Sequence, residues 1–140
     1  MSRALVYTRL AGDSILHDLG VGVVESNWYS DVSPSRKECF LILRWGEVEN
    51  PQFDRGNHTV PLTVWAHMPN EVGRDFGGLQ KILNRVKDIL TDIELEVGSD
   101  GYEVTSIRWQ GMSSDFFDEG FKTSTKNALF SVLSHEVLTG

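Results

Sequence analysis

The sequence predicts an α+β domain in which a mostly antiparallel mixed sheet is flanked by helices, in the order α-β-β-β-α-β-β. Three observations predict this class. One segment after Asp75 has apolar residues at helical spacing, other segments show strand-like alternation or short apolar runs, and the strand segments follow one another as hairpin-like neighbours. A chain of 140 residues is expected to form a single domain, residues 1–140, with an ordinary core.

The chain is predicted to begin with helix, over residues 2–19. An irregular apolar stripe runs through this segment, and Gly12 and Asp13 interrupt it. We expect the side chain of Asp13 to cap a second short helix, because a carboxylate at that position accepts a hydrogen bond from a free backbone N–H.

Three strands are predicted next. Residues 23–28 form a short candidate, the apolar run at 39–45 is typical of a strand buried on both faces, and residues 58–68 alternate between apolar and polar. Pro61 cannot donate to a ladder, which indicates a strand start, a bulge or an edge. Long polar loops are predicted at 30–37 and 46–57.

The clearest helix follows, with Asp75 as its N-cap. Its apolar positions are spaced by three and four residues, so one side should lie on a sheet; they are Phe76, Leu79, Ile82, Leu83, Val86, Ile89 and Leu90. A turn is predicted at 98–101, then strands at 102–109 and 122–137, separated by a loop at 111–121.

That last loop holds the main candidate site. It contains the sequence SSDFFDEGF, which carries three acids and three phenylalanines: Asp115, Phe116, Phe117, Asp118, Glu119 and Phe121. Clustered carboxylates can perform acid–base chemistry or hold Mg²⁺, although acids in loops are commonly just solvated or turn-forming. Clustered aromatics beside acids favour a protein–protein contact, because aromatics anchor interfaces and charges steer docking. The four tryptophans, Trp28, Trp45, Trp65 and Trp109, are expected either to cover the core or to lie at a subunit seam.

No other set of residues indicates catalysis or metal binding. The segment GRDFGG at 73–78 lacks the Lys-Ser/Thr ending of a phosphate loop, and the histidines have no zinc-type spacing. Cys39 is the only cysteine and lies in an apolar run, so we expect it to be a core residue. His67, beside Trp65 on a predicted strand, is expected to be structural or solvent-facing.

The charge balance bears on partners. The chain has 20 acidic and 13 basic residues, a formal net charge of −7. This weighs against a phosphate-gripping surface, because affinity for nucleic acid comes from clustered Lys and Arg, but repulsion would suit a surface past which DNA slides. The apolar runs are too short for a membrane span, and the N-terminus lacks a signal-peptide core, so a soluble protein made in a cytoplasm is expected.

Three stretches, taken in order, carry a family resemblance. They are FLILRWGE, PLTVWAHMPNEVGRDFGGLQKILNRVKDIL and GYEVTSIRWQGMSSDFFDEGFKTSTKNALFSVL. Their features are an LxVW-H-P pattern on a strand, an amphipathic helix, a DGY turn and a D-x-DEGF-T segment that enters the final strand. Over roughly residues 3–135 the chain resembles the tail terminator proteins, also called minor tail or tail-completion proteins, of phages with long non-contractile tails.

This resemblance implies a structural virion protein and no enzyme, since no catalytic residues are known for the family. Such proteins form a hexameric ring on the tail tube, end tube polymerisation and join the tail to the head through a head-completion or stopper protein. DNA passes through the ring without specific binding. The implied location is the neck end of the virion tail after assembly in the host cytoplasm, and no cofactor, metal or membrane is implied.

Two alternatives remain open from the sequence. The chain could be another head–tail connector, such as a stopper or a head-completion protein, which needs similar ring surfaces. It could also be a metal-dependent nuclease or phosphohydrolase built on Asp115, Asp118 and Glu119.

Overall fold

The computed structural model describes residues 3–25, 38–46, 57–120 and 122–137. The described residues form three helices and seven strands. In chain order these are α1 (Arg3–Ala11), α2 (Ser14–Asp18), β1 (Val21–Glu25), β2 (Cys39–Trp45), β3 (Asn57–Pro69), α3 (Phe76–Thr91), β4 (Glu94–Val97), β5 (Tyr102–Met112), β6 (Phe116–Asp118) and β7 (Thr123–Glu136). The predicted α+β class and element order are confirmed, and the structure adds two short strands, β4 and β6.

The seven strands form one mixed sheet. Its order is β1-β2-β3-β7-β5-β4, and β6 pairs with β7 off this path. Only β1 and β2 are parallel among the described pairs; the others are antiparallel. The longest ladder joins β3 to β7 along the whole of β3. The centre of the sheet is therefore a rigid antiparallel platform to which the shorter strands attach.

The helices cover one face of this sheet. Helix α3 turns its buried residues toward β3, β5 and β7, as its apolar spacing predicts. These residues join a core with the inward side chains of the central strands, Leu62, Val64, Ala66, Ala128, Phe130 and Val132. Helix α1 packs on α3 and on β1, and its Arg9 pairs with Glu96 on β4. It thus bridges the two edge strands.

Both predicted helix caps are confirmed. The side chain of Asp13 accepts a hydrogen bond of 2.9 Å from the backbone N–H of Leu16 at the start of α2. The side chain of Asp75 accepts one of 3.0 Å from the N–H of Gly78 at the start of α3. Each carboxylate satisfies a backbone donor that has no partner within its own helix.

Pro61 shows how the central strand β3 tolerates a residue without an N–H. Its carbonyl accepts a hydrogen bond of 2.8 Å from Gly46, just past the end of β2. The N–H and C=O of a strand residue point to the same side. An N–H at position 61 would therefore point toward β2 at the place where the β2 ladder ends, so the lack of this donor costs no strand pairing. Of the predicted alternatives, a local edge is the one that the structure shows.

Strand β2 is buried on both faces, as its apolar run predicts. Leu41 and Leu43 belong to the helix-side core, while Phe40 and Ile42 are buried on the opposite face. Cys39 is also buried, which raises the pKa of its thiol. The first strand, Val21–Glu25, begins earlier than the predicted 23–28, and residues 26–28 of that prediction lie outside the described residues. The predicted loop 30–37 lies outside the described residues, and only the two ends of 46–57 lie within them.

Within the described ranges, no helix is both long and apolar enough to cross a membrane.

Candidate protein–protein interface

The segment predicted as loop 111–121 is instead largely the end of a long β-hairpin. Strand β5 continues to Met112, Ser113 donates a backbone hydrogen bond of 2.8 Å to Asn127, and β6 then pairs with the start of β7. The loop prediction was wrong here because pairing with β7 satisfies the backbone groups of these residues. A hairpin arm holds its side chains in fixed directions, so this site is positioned by the sheet.

The strand alternation of β6 separates the two adjacent phenylalanines. Phe116 is paired with Thr125 and lies partly buried on the face opposite the helices. Its ring makes an edge-to-face contact with Trp65, with centroids 5.6 Å apart. Such aromatic pairs contribute about 0.5–1.5 kcal/mol beyond the burial of their area. Phe116 therefore helps to hold the hairpin on the sheet.

Phe117 points to the other face and stays accessible. Its side chain is 55% exposed. The ring contacts Phe76 at the start of α3 with centroids 5.7 Å apart, and the guanidinium of Arg74 lies 5.6 Å from the ring centroid. An exposed aromatic ring that two neighbours hold in place is the kind of preorganised residue that anchors an interface.

The acids of the hairpin end have different surroundings. Asp115 accepts a hydrogen bond of 2.8 Å from Nζ of Lys126, so it forms an ion pair within the hairpin. Asp118 pairs in register with Thr123. It lies near enough to His67 for its negative charge to favour the protonated imidazole. Glu119 is exposed at the tip. Among the residues that the structure describes, no three His, Cys, Asp or Glu side chains come together as a metal-binding group.

A shallow cleft of about 380 Å³ opens beside the exposed ring. Arg74 and Lys122 line it with positive charge, and Asp118 and Glu119 with negative charge. Lys122 has a φ of 54°, in the left-handed region that costs a residue with a Cβ about 1–2 kcal/mol. The tip of the hairpin thus joins an apolar ring to both signs of charge in one small surface.

Below this tip, a buried histidine joins three strands. Nδ1 of His67 on β3 lies 2.8 Å from Oγ1 of Thr123 and 3.2 Å from Oγ1 of Thr125, both on β7. The imidazole stacks on Phe40 of β2, with centroids 4.7 Å apart and planes 7° apart. Burial lowers the pKa of His67 to about 4, and Asp118 acts weakly in the opposite direction. Of the two predicted settings for His67, the structural one is correct.

The three described tryptophans have different surroundings, of which only that of Trp45 matches the predicted cover of the core. Trp45 packs at the margin of the helix-side core, and Trp65 supports Phe116. Trp109 is exposed beside α3, where Nζ of Lys87 lies 4.0 Å from the ring centroid. Trp28 and Phe121 lie outside the described residues.

Sequence reasoning missed the residues that hold Phe117 in place. Arg74 and Phe76 are far from Phe117 in the chain and meet it only because the end of the hairpin folds against the start of α3. A weak signal was present: Phe76 is the first residue of the apolar stripe and lies at the helix end, where the core no longer covers it fully.

The comparisons with known proteins concern this whole fold. No protein-family model matches the chain. No curated protein matches it either. Among solved structures, 21 chains match. One of them comes from a structure described as the virion of a native gene transfer agent particle; it superimposes with a TM-score of 0.68 at 15% identity, over 93% of this chain and 91% of that one. At that identity the two chains share a fold.

Proposed function

We propose that this chain is a structural virion protein that forms a ring on the end of a phage-type tail tube, ends tube polymerisation and presents a surface for joining the head. Its role is contact and shape, without bond-making chemistry. Residues 1–140 act as one domain, in the tail at the neck end of the particle after assembly in the host cytoplasm. The partners are further copies of the chain, the tube protein and a head-side connector, with DNA passing through the ring.

The observation that carries this proposal is the match, over nearly the full length of both chains, to a chain of a virion particle. It agrees with the ordered sequence features that resemble tail terminators. The acidic composition suits a ring through which DNA must slide, because negative charge repels phosphate.

The hairpin end is the surface that we assign to the tube. Asp115, Phe116, Phe117, Asp118, Glu119 and Phe121 were singled out by sequence. Accessibility separates the two described phenylalanines: the ring of Phe117 is exposed, whereas Phe116 is engaged with Trp65. Interface energy concentrates in a few well-packed aromatic residues, so Phe117 should carry most of this contact.

Tube polymerisation provides the test. Purified tube subunits are polymerised with and without this protein, and tube lengths and ends are measured by electron microscopy. We expect shorter tubes with a ring at one end. Tubes of unchanged length with bare ends would overturn the proposal, and binding to a portal-side adaptor in the absence of any tube binding would favour a stopper.

A matched pair of variants then tests the surface. Phe117→Ala should abolish capping, while Tyr7→Ala, which removes an exposed aromatic ring on α1, should leave it intact. Both chains should have the circular-dichroism spectrum of the wild type. Equal capping by the two variants would remove the hairpin end from the tube contact without affecting the capping role itself.

A further inference from the structure

The sheet face opposite the helices exposes a leucine in the middle of the sheet. Leu129 lies on the central strand β7, in register with Thr63 on β3 and Gly111 on β5. Leu62 and Val64 point into the helix-side core, so Thr63 and its cross-strand neighbours face the other way. Leu129 is 45% exposed there, and a Cβ added at Gly111 would meet no atom within 4 Å. The central strand thus presents an open apolar position.

Other residues extend this surface, which we call the sheet-face patch: Leu129, Leu133, Thr63, Pro61 and Arg108. Leu133 follows Leu129 on the same face and is partly exposed. Arg108 is exposed and in register with Ser131, between the two leucines. Within the described chain Arg108 has no ion pair. The patch therefore combines an apolar centre with an available cation.

The opposite side of the molecule carries a groove of about 410 Å³ between α1 and α3. Its two arginines are already engaged, Arg9 with Glu96 and Arg85 with Asp13. Its two exposed acids, Asp88 and Asp92, have no ion pair among the described residues. They are four residues apart on a helix, so they project side by side.

These acids also lie at the unfavourable end of their helix. Asp88 is in the last turn of α3, Asp92 is its C-cap, and this last turn contains no basic residue. Free carbonyls give a helix C-terminus partial negative charge, so acids there are destabilising and a nearby cation is stabilising. Among the described residues, Arg85 is near enough to Asp88 for their charges to interact, but its ion pair is with Asp13, so a partner's cation could still bind at this end.

We infer that a second copy of this chain docks its sheet-face patch onto the α1–α3 groove, with Arg108 directed at Asp88 and Asp92. This inference rests on the proposed ring and identifies the contact between neighbouring subunits, which we call the seam. Because the patch and the groove lie on opposite layers of the domain, the contact is head-to-tail, the kind that closes rings when the rotation permits. Two chains of net charge −7 repel overall, so a local match of opposite charges is what sets their orientation.

Thiol cross-linking tests the contact. Cys39 is the only cysteine and is buried, so the wild-type chain should react little with a short bismaleimide. Ser131→Cys, in register with Arg108 on the sheet face, and Thr8→Cys, in the α1–α3 groove, keep the proposed charges. The two chains, carrying tags of different size, are mixed and treated. We expect cross-linked heterodimers in the mixture and neither homodimer in the separate samples. A mixture of Ser131→Cys with Glu71→Cys, at an exposed position outside the groove, gives the collisional background.

The yield of cross-linked heterodimer also tests the contribution of Leu129, the apolar centre of the sheet-face patch. Leu129→Asp in the Ser131→Cys chain should lower the heterodimer yield about tenfold, the effect expected of a central apolar contact. Ile15→Asp is the matched control, because Ile15 on α2 is also 45% exposed, and it should leave the yield unchanged. Circular dichroism confirms that both variants are folded.

Two cross-linking outcomes overturn the inference. Homodimers of Ser131→Cys alone would show that two sheet faces meet each other, and yields at background would show that the groove is not the counterpart. If cross-linking fails while the wild type still caps tubes, the seam is wrong and the proposed function stands. If cross-linking succeeds and tubes are never capped, the seam stands and the proposed function fails.

Discussion

Nδ1 of His67 lies 2.8 Å from Oγ1 of Thr123, a contact that joins β3 to the first residue of β7 directly below the hairpin tip. Thr123 Oγ1 is in turn 3.0 Å from Thr125 Oγ1. Because the imidazole is buried, the folded protein holds it in the neutral form, and its pKa is lowered from 6.5 to about 4. Proton uptake by this imidazole therefore opposes folding.

We expect the unfolding free energy to decrease as the pH is lowered from 6.5 toward 4. Above pH 6.5, His67 is neutral in both states and its contribution is fully present. As the pH falls from 6.5 toward 4 the unfolded chain takes up the proton first, so up to about 3 kcal/mol of unfolding free energy is lost. Urea unfolding measured at pH 7.5, 6, 5 and 4.5 checks this.

The variant His67→Gln isolates this effect from carboxylate titration. It keeps a side chain that can hydrogen-bond to the two threonines but cannot titrate. The stability of the variant should depend less on pH than that of the wild type between pH 6.5 and 4. Parallel curves for the two proteins would show that the imidazole is not the group responsible.

The two hairpin phenylalanines should differ in their effect on stability. Phe116→Ala removes a partly buried ring and its contact with Trp65, so we expect a loss of about 1–2 kcal/mol in unfolding free energy. Phe117→Ala removes a ring that is 55% exposed and should cost no more than about 0.5 kcal/mol. Urea unfolding of each single variant at pH 7.5 measures both values. A larger loss for Phe117→Ala would place that ring in the folded core and remove it as an interface anchor.

Asp13 has two roles that substitutions can separate. It caps α2, and it accepts hydrogen bonds of 3.1 Å and 2.7 Å from Nε and Nη2 of Arg85 on α3. The hydrogen bond from Arg85 is the main reason that the pKa of Asp13 is lowered. Asp13→Asn keeps the cap and loses the charge, whereas Asp13→Ala loses both. We expect Asp13→Ala to be less stable than Asp13→Asn by about 1 kcal/mol, the usual value of an N-cap.

The pH dependence of these variants follows from the same pair. Since the folded pKa of Asp13 is lowered, its ionised form contributes stability above the unfolded value of 3.8, and that contribution is lost as the pH falls through the folded pKa. Both variants should lack this acid-range loss. Equal unfolding free energies for Asn and Ala at position 13 would contradict the capping role.

The sequence was most informative where local pattern and tertiary packing agree. The apolar spacing after Asp75 predicted α3, and the run at 39–45 predicted a strand buried on both faces. Strand β4 was missed because its sequence, ELEV, lies at a sheet edge with half of its residues charged. Edge strands are commonly short and charged, since this blocks pairing with other chains, and that composition conceals them.

The candidate site was harder to predict for a different reason. Its residues were identified from composition, but their directions depend on the pairing of β6 with β7, and three paired residues are too few to show a period. The partners of Phe117, namely Arg74 and Phe76, belong to another element. Such contacts depend on how the elements pack together, which no local pattern in one sequence encodes.

The acids at the end of α3 lead to the last prediction. Asp92→Asn should raise the unfolding free energy of the monomer by about 0.3–1 kcal/mol, because it removes a negative charge from a helix C-terminus. The same change should weaken self-association, since it removes a counterpart of Arg108. Urea unfolding at low protein concentration measures the first effect, and sedimentation velocity at high concentration measures the second.

Glu71→Asn, which removes an exposed acid outside any helix, should change neither the unfolding free energy nor the self-association. A destabilised Asp92→Asn monomer would show that the carboxylate supports its own fold, and the electrostatic case for a groove that awaits a neighbour would then be lost.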